Sequence, residues 1–166
     1  MPAIDVLYLT YQVIVIVGAG LHWLLRAKPR APRRLAELLL HWSLVVNVGV
    51  AGLMACYAHT VRARQTAEEI GWAPGSPFQF EVAMAGLAFG VLGIGCIWLR
   101  GLWWWATAVG SGVYLFGAAI GHVQQTALTG NVAPGNAGVI LYYDFLLPVV
   151  HLALLLATRG GGSRVR

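Results

Sequence analysis

The chain is poor in charge. Of its 166 residues, 10% are Asp, Glu, Lys or Arg, whereas a soluble domain carries about 25%. A water-soluble fold of this size needs a charged surface, and this chain cannot supply one. The composition therefore argues against an ordinary soluble enzyme, a nucleic-acid-binding domain and a disordered protein. Acidic residues are scarcer than basic ones, 6 against 11, which gives a formal net charge of +5 and a pI near 9.7. That balance invites a nucleic-acid partner, but the basic residues sit at the ends of apolar runs rather than on one face. No nucleic-acid partner is expected. Alternating strand patterns of the membrane-barrel type are missing. Cysteine is scarce too. Cys56 and Cys96 fall near opposite ends of different apolar runs, beyond the roughly 7 Å that a disulfide spans, so neither reports a redox compartment.

What the chain has instead is apolar length. Hydrophobic residues make up 58% and the mean hydropathy is +0.71. Five runs, 4–25, 39–58, 77–99, 102–123 and 138–157, meet the requirement of about 20 mostly apolar residues for a bilayer-spanning helix. In lipid, only helices and closed barrels satisfy every backbone group. The expected fold is an all-α integral membrane bundle of five transmembrane helices. It would form a single domain over 1–158, followed by a flexible basic tail at 159–166 that contains Gly160-Gly161-Gly162-Ser163. The first run does not read as a cleavable signal peptide: Met1 to Asp5 carries no Lys or Arg, and no small-residue cleavage site follows.

Positive residues stay on the cytoplasmic side. Arg26, Lys28, Arg30, Arg33 and Arg34 fill the first loop. Placing that loop inside puts Arg100, Arg159, Arg164 and Arg166 inside as well, leaving only Arg62 and Arg64 outside, close to Glu68 and Glu69. The expected orientation is N-out and C-in, in a bacterial inner (cytoplasmic) membrane. Aromatic residues agree: Trp23, Trp42, Trp98, Trp103, Trp104 and Trp105 gather at the inner boundary, and Tyr8, Tyr57, Tyr142 and Tyr143 nearer the outer one. The segment 60–75, with mixed charge and Trp72, reads as a short amphipathic surface element.

Glycine spacing suggests how the helices meet. Gly86 and Gly90 on the third run, with Gly93, and Gly117 and Gly121 on the fourth predict close packing of this hairpin, or else a homodimer face. Ser76-Pro77-Phe78-Gln79 has the form of a capping box, with Ser76 and Gln79 exchanging hydrogen bonds. Asn136 is placed to cap the fifth run.

Ionisable groups inside a membrane span are costly and mark candidate functional sites. His59, Glu81, His122 and Asp144, on four different runs, fall within the same outer slab. Three readings stay open. The four groups pair and hydrate locally; or they line a pocket that binds a small ligand or does proton chemistry on a lipid-soluble substrate; or they hold a divalent metal such as zinc or copper. No His-x-x-x-His spacing on one helix supports the metal reading. Haem would need a facing histidine pair, for which His59 with His122 and His22 with His41 are candidates, neither diagnostic. Pro148 has no N–H for the carbonyl of Asp144, so that oxygen is left free beside a carboxylate. His151 lies seven residues beyond Asp144 on the same face. Asn47 and Gln12 read as interhelical glue.

The run Ile70-Gly71-Trp72, then Gly75-Ser76-Pro77-Phe78-Gln79-Phe80-Glu81-Val82, is joined by Lys28-Pro29-Arg30, His59, Gly121-His122, Ala133-Pro134-Gly135-Asn136-Ala137-Gly138 and Tyr143-Asp144. In this order the motifs resemble a family of small multi-pass bacterial and archaeal membrane proteins known as a domain of unknown function. The resemblance covers nearly the whole chain. It implies a multi-pass inner-membrane protein, marks His59, Gln79, Glu81, His122 and Asp144 as family positions, and brings no activity. An alternative role is a non-catalytic accessory subunit whose glycine faces dock a larger membrane complex or a second copy, with membrane lipid as the remaining partner.

Overall fold

The computed structural model describes residues 1–26 and 31–159. Sequence readings on Lys28, Pro29, Arg30, Arg164, Arg166 and the segment Gly160-Gly161-Gly162-Ser163 lie outside the described residues. Of the described residues 84% are helical and none lies in a strand. Five helices are long and apolar enough to cross a membrane: Ala3–Leu25, Pro32–Thr60, Phe78–Gly95, Leu102–Thr129 and Pro134–Thr158, here the first to fifth spans. It is an all-helical, multi-pass membrane protein.

The second span begins seven residues before its apolar run. Pro32 occupies a first-turn position, where its missing N–H costs nothing. Arg33 and Arg34 then pair with Glu37 at 3.4 and 2.8 Å, so the opening turns are amphipathic rather than apolar. Leu44–Val50 of this span is a π-helix. Its signature is that the Ala51 N–H reaches back five residues to the Val46 carbonyl. The skipped Asn47 carbonyl instead accepts the Tyr143 hydroxyl of the fifth span at 2.8 Å.

The third span ends at Gly95, sooner than its hydropathy suggests, and tryptophans complete its end. The Trp103 indole N–H donates to the Leu92 carbonyl at 2.9 Å and that of Trp104 to the Cys96 carbonyl at 3.3 Å. Such carbonyls have no partner within a helix. Arg159 lies 3.8 Å over the Trp105 ring and Arg100 5.1 Å over that of Trp104, and Arg33 donates to the Thr158 carbonyl. These contacts make one end of the bundle basic and rich in tryptophan. Both cysteines are free.

The glycine partners differ from those expected. Gly86, Gly90 and Gly93 pack against the second span, not the fourth. A Cβ on Gly52 would stand 2.6 Å from the Gly86 carbonyl oxygen and 2.7 Å from the Gly90 nitrogen, and one on Gly49 would stand 2.9 Å from the Ile94 nitrogen. Here backbone meets backbone, which only glycine permits. By contrast, a Cβ on Gly117 or Gly121 would meet nothing within 4 Å. A short loop makes two helices sequence neighbours but does not decide which faces touch.

At the opposite end, Ala63–Ile70 forms a surface helix that buries Thr66, Ala67 and Ile70. Arg64 pairs with Glu68 at 3.1 Å on its exposed side. The capping box does not form. Ser76 is exposed, and its backbone carbonyl, not its hydroxyl, accepts the Gln79 N–H at 3.1 Å. The buried Gln79 side chain instead donates to the Ala63 carbonyl and ties the third span to the surface helix. The fifth span opens as a short turn, Pro134–Ala137, breaks at Gly138 and resumes as Val139–Thr158. Its cap comes from far away: Asp5 Oδ1 of the first span accepts the Val139 N–H at 3.0 Å. Asn136 caps nothing and does something else.

Candidate functional site

Asn136 is 0% exposed and stands at the centre of a polar lattice at the surface-helix end. Its Nδ2 donates to the Asn131 carbonyl at 2.8 Å, to Thr126 Oγ1 at 3.0 Å and to the His122 carbonyl at 3.3 Å. Those acceptors fix which end of the amide is nitrogen. Its Oδ1 therefore faces His122 Nδ1, 2.8 Å away. An amide oxygen can only accept, so His122 Nδ1 carries a hydrogen. In neutral His122 the other ring nitrogen, Nε2, is then a bare lone pair. It faces Asp144 Oδ2 at 3.6 Å.

This geometry has a consequence for charge. Asp144 is 2% exposed, and its Oδ1 is buried without a hydrogen-bond partner. A bare imidazole nitrogen opposite a bare carboxylate oxygen is repulsive. A single proton removes the repulsion, as a neutral acid beside a neutral ring or as a carboxylate beside an imidazolium. The 3.6 Å separation exceeds a normal hydrogen bond, so the two groups are poised near each other rather than locked.

The lattice extends outward. Asn131 Nδ2 donates to the Ile70 carbonyl at 2.9 Å and to Gln125 Oε1 at 3.2 Å, and the Trp72 indole donates to that same oxygen at 2.9 Å. Gly71, with φ +79°, ends the surface helix in the left-handed conformation. A Cβ there would stand 2.5 Å from Asn131 Oδ1, so the tight turn and the amide need each other. The His59 ring lies 6.2 Å from that of Trp72, with its Nδ1 buried and unpartnered.

The four expected site residues thus separate. His122 and Asp144 face each other. His59 lies at the far edge of the lattice, beyond Trp72, Gln125 and Asn131. Glu81 is exposed in the first turn of the third span. A shared depth did not bring the four into one pocket, because depth says nothing about rotation around each helix. Among the described residues, no three or more His, Cys, Asp or Glu side chains are grouped to hold a metal ion. Two open hollows, of about 400 and 170 Å³, are lined almost wholly by apolar side chains and touch neither Asp144 nor His122.

A second polar cluster occupies the middle of the bundle. Gln12 and Asn47 exchange amide hydrogen bonds at 3.2 and 3.1 Å, which matches their reading as glue. Asn47 Nδ2 also donates to Ser43 Oγ at 3.0 Å. Ser43 Oγ lies 2.7 Å from Nε2 of His151, a residue 1% exposed. Asn47 lies within the π-helix and meets both Gln12 and Ser43. Ser43, Gln125, Thr126, Asn131 and Asp5 were not among the expected site residues. The pair Asn131 and Asn136 around Pro134-Gly135 was the visible signal for the lattice.

The chain belongs to a family of unknown function (DUF6790), whose model matches residues 5–164. No curated protein and no solved structure matches it.

Proposed function

We propose that this membrane protein holds and exchanges a proton at the Asp144–His122 pair. One observation carries the reading: Asn136 spends His122 Nδ1, which leaves Nε2 pointing at a buried carboxylate 3.6 Å away. Buried intramembrane carboxylates are retained at a cost and mark function by default. A proton is also a ligand that needs no room, and neither of the two hollows described above reaches the pair. In this reading Asp144 is the proton carrier, His122 its partner and Asn136 the residue that sets the ring's tautomer. The pair faces the outer side if the N-terminus is outside, the orientation we favour from the basic loop, in a bacterial inner membrane. Infrared difference spectra of the reconstituted protein across a pH step test the pair. A carboxylic-acid carbonyl band that titrates and vanishes in Asp144→Asn is expected; its absence from the parent protein overturns the reading. Single cysteines replacing Ala31 and Ala73 in a cysteine-free background test the orientation. Labelling of the Ala31 position from outside intact cells reverses it.

A second reading, an accessory subunit, rests on the open glycines of the fourth span. Gly117 and Gly121 face no neighbour, so another helix could approach them closely. Crosslinking through cysteines at Gly117 in native membranes distinguishes it.

A further inference from the structure

The larger of the two hollows, about 400 Å³, lies on the flank of the second and third spans and reaches the tryptophan-rich end of the bundle. Its volume falls in the range of about 300–1,000 Å³ common to small-ligand sites. Val91, Ile94, Gly95 and Trp98 follow at steps of three and four residues, so they present one face of the third span and the turn after it. Leu53 of the second span and Trp103 of the fourth complete the wall. Gly95 makes the room: it brings no side chain, and a Cβ there would stand 2.9 Å from the Trp103 ring. Val91 is 59% exposed and Trp98 73%. On a multi-pass membrane protein, such an apolar face at span depth meets acyl chains rather than water.

The same end carries uncompensated positive charge. Arg33, Arg34, Arg100 and Arg159 lie there, and of the chain's 6 acidic residues only Glu37 joins them. Glu37 is already shared by Arg33 and Arg34. Arg100 follows Leu99 of the hollow's lining directly in the chain and is exposed. Neither Arg100 nor Arg159 has an ion pair among the described residues; each instead lies over an indole, Trp104 at 5.1 Å and Trp105 at 3.8 Å. Stacking occupies the face of a guanidinium and leaves its N–H edge free, the edge that matches two oxygens of a phosphate. The exposed Trp98 indole belongs where an apolar body meets polar headgroups. The hollow thus has an apolar floor and a cationic rim. The smaller hollow, lined only from within the fourth and fifth spans, has no residue from a helix end.

We propose that the larger hollow binds an anionic phospholipid, with an acyl chain laid along Val91, Ile94 and Gly95 and the phosphate at Arg100. Arg159 adds to the positive potential that holds the headgroup. A second copy of the chain fits this face poorly. Helices approach closely through rows of small residues, and Val91, Ile94 and Trp98 are not small. A two-fold axis along the membrane normal would also set like arginines at the same depth in both copies. The site is independent of the Asp144–His122 pair, which no residue of the hollow touches.

The test uses the full chain in detergent, with dioleoyl phosphatidylglycerol and dioleoyl phosphatidylcholine as probes and native mass spectrometry to count bound lipid. Phosphatidylglycerol should bind about tenfold more tightly than phosphatidylcholine, which has the same chains and no net charge. Equal binding overturns the site. Arg100→Gln should reduce that preference about fivefold, and Arg64→Gln at the opposite end should leave it unchanged. Equal losses from the two variants would mean attraction to the whole charge of the protein and also overturn the site. Val91→Trp fills the hollow from its exposed side and should weaken both lipids about tenfold, whereas Val113→Trp in the smaller hollow should weaken neither. Unchanged binding in Val91→Trp overturns the site even if the arginine variant behaves as expected. If Val91→Trp does not fold, Leu53→Trp fills the same hollow and is read in its place. If Arg100→Gln does not fold, Arg100→Lys replaces it; an ammonium cannot pair two phosphate oxygens side by side, so a smaller preference is again expected and an unchanged one again counts against the site.

Discussion

The two buried polar clusters use the same kinds of residue to opposite effect. In the central cluster Gln12, Asn47 and Ser43 answer one another donor for acceptor, and the Asn47 carbonyl, set free by the π-helix, is taken by Tyr143. At the surface-helix end Asn136 is equally saturated, yet its bonds end on a histidine that meets a carboxylate with one oxygen unmatched. The Gln12–Asn47 amide pair is glue, because each amide has found its partner, although His151 at the cluster's edge keeps an unmatched Nδ1. A network that ends on an unmatched ionisable group has a valence left for something that comes and goes. What sets the surface-helix end apart is that its unmatched group is a carboxylate held 3.6 Å from an imidazole, whereas the histidine of the central cluster meets the neutral Ser43 hydroxyl.

The comparison can be broken most severely at its hub. Asn136→Ala removes four hydrogen-bond contacts and leaves the His122 and Asn131 carbonyls to share the single Thr126 hydroxyl hydrogen among side-chain donors. We expect a loss of about 3 kcal/mol, at about 1 kcal/mol per net bond, read as a fall in thermal midpoint in detergent. The same variant should free the His122 tautomer, visible in its nitrogen shifts. Next in size is Asn47→Leu, which strands the Gln12 amide and takes a donor from Ser43 Oγ while leaving the backbone carbonyl that Tyr143 uses; about 2 kcal/mol is expected. Adding Gln12→Leu should return part of that loss, because an apolar pair leaves no orphan amide. Strict additivity of the two changes would show that the cluster is not the closed unit described above.

Glycines give a third contrast. Gly52→Val drives a side chain into the backbone at Gly86 and Gly90 and should cost about 1–3 kcal/mol. Gly117→Val, facing open space, should leave the monomer's melting unchanged. Destabilisation of a native complex by Gly117→Val alone would instead favour the accessory-subunit reading. A small stability effect also belongs to Asp144→Asn. Its shape is nearly unchanged and it removes a buried acid, so a stability change within about 0.5–1 kcal/mol is expected, together with complete loss of the acid signal. A large stability loss there would move Asp144 into the class of glue and remove its claim to function.

Much of the architecture was legible. Apolar run length located all five spans, because the bilayer imposes it on each helix separately. Asn47 and Gln12 were readable as glue because a neutral amide in mid-span has few other uses. The misreadings share a cause: each needed knowledge of a partner distant in sequence. The Gly86 and Gly90 spacing announces close packing but not with whom, and the second span won. Ser76-Pro77-Phe78-Gln79 fits a local cap, yet Gln79 found a better acceptor at Ala63 on the surface helix. Asp144 and His122 stood out because an ionisable group is conspicuous in any apolar run. His59 and Glu81 were grouped with them on depth alone, and depth fixes only one of the coordinates of a side chain on a helix. The π-helix left no mark in the sequence beyond Asn47 itself, since it is the tertiary bond from Tyr143 that rewards the displaced carbonyl.

The bond from Asp5 to the Val139 N–H bears on how the protein is made. It joins positions 134 residues apart, on the first and fifth spans described here. The Val139 N–H is a partner that only the fifth span supplies, and a buried carboxylate without one is costly. The bond therefore works as a latch between the two spans: a chain halted before Val139 would carry Asp5 without it.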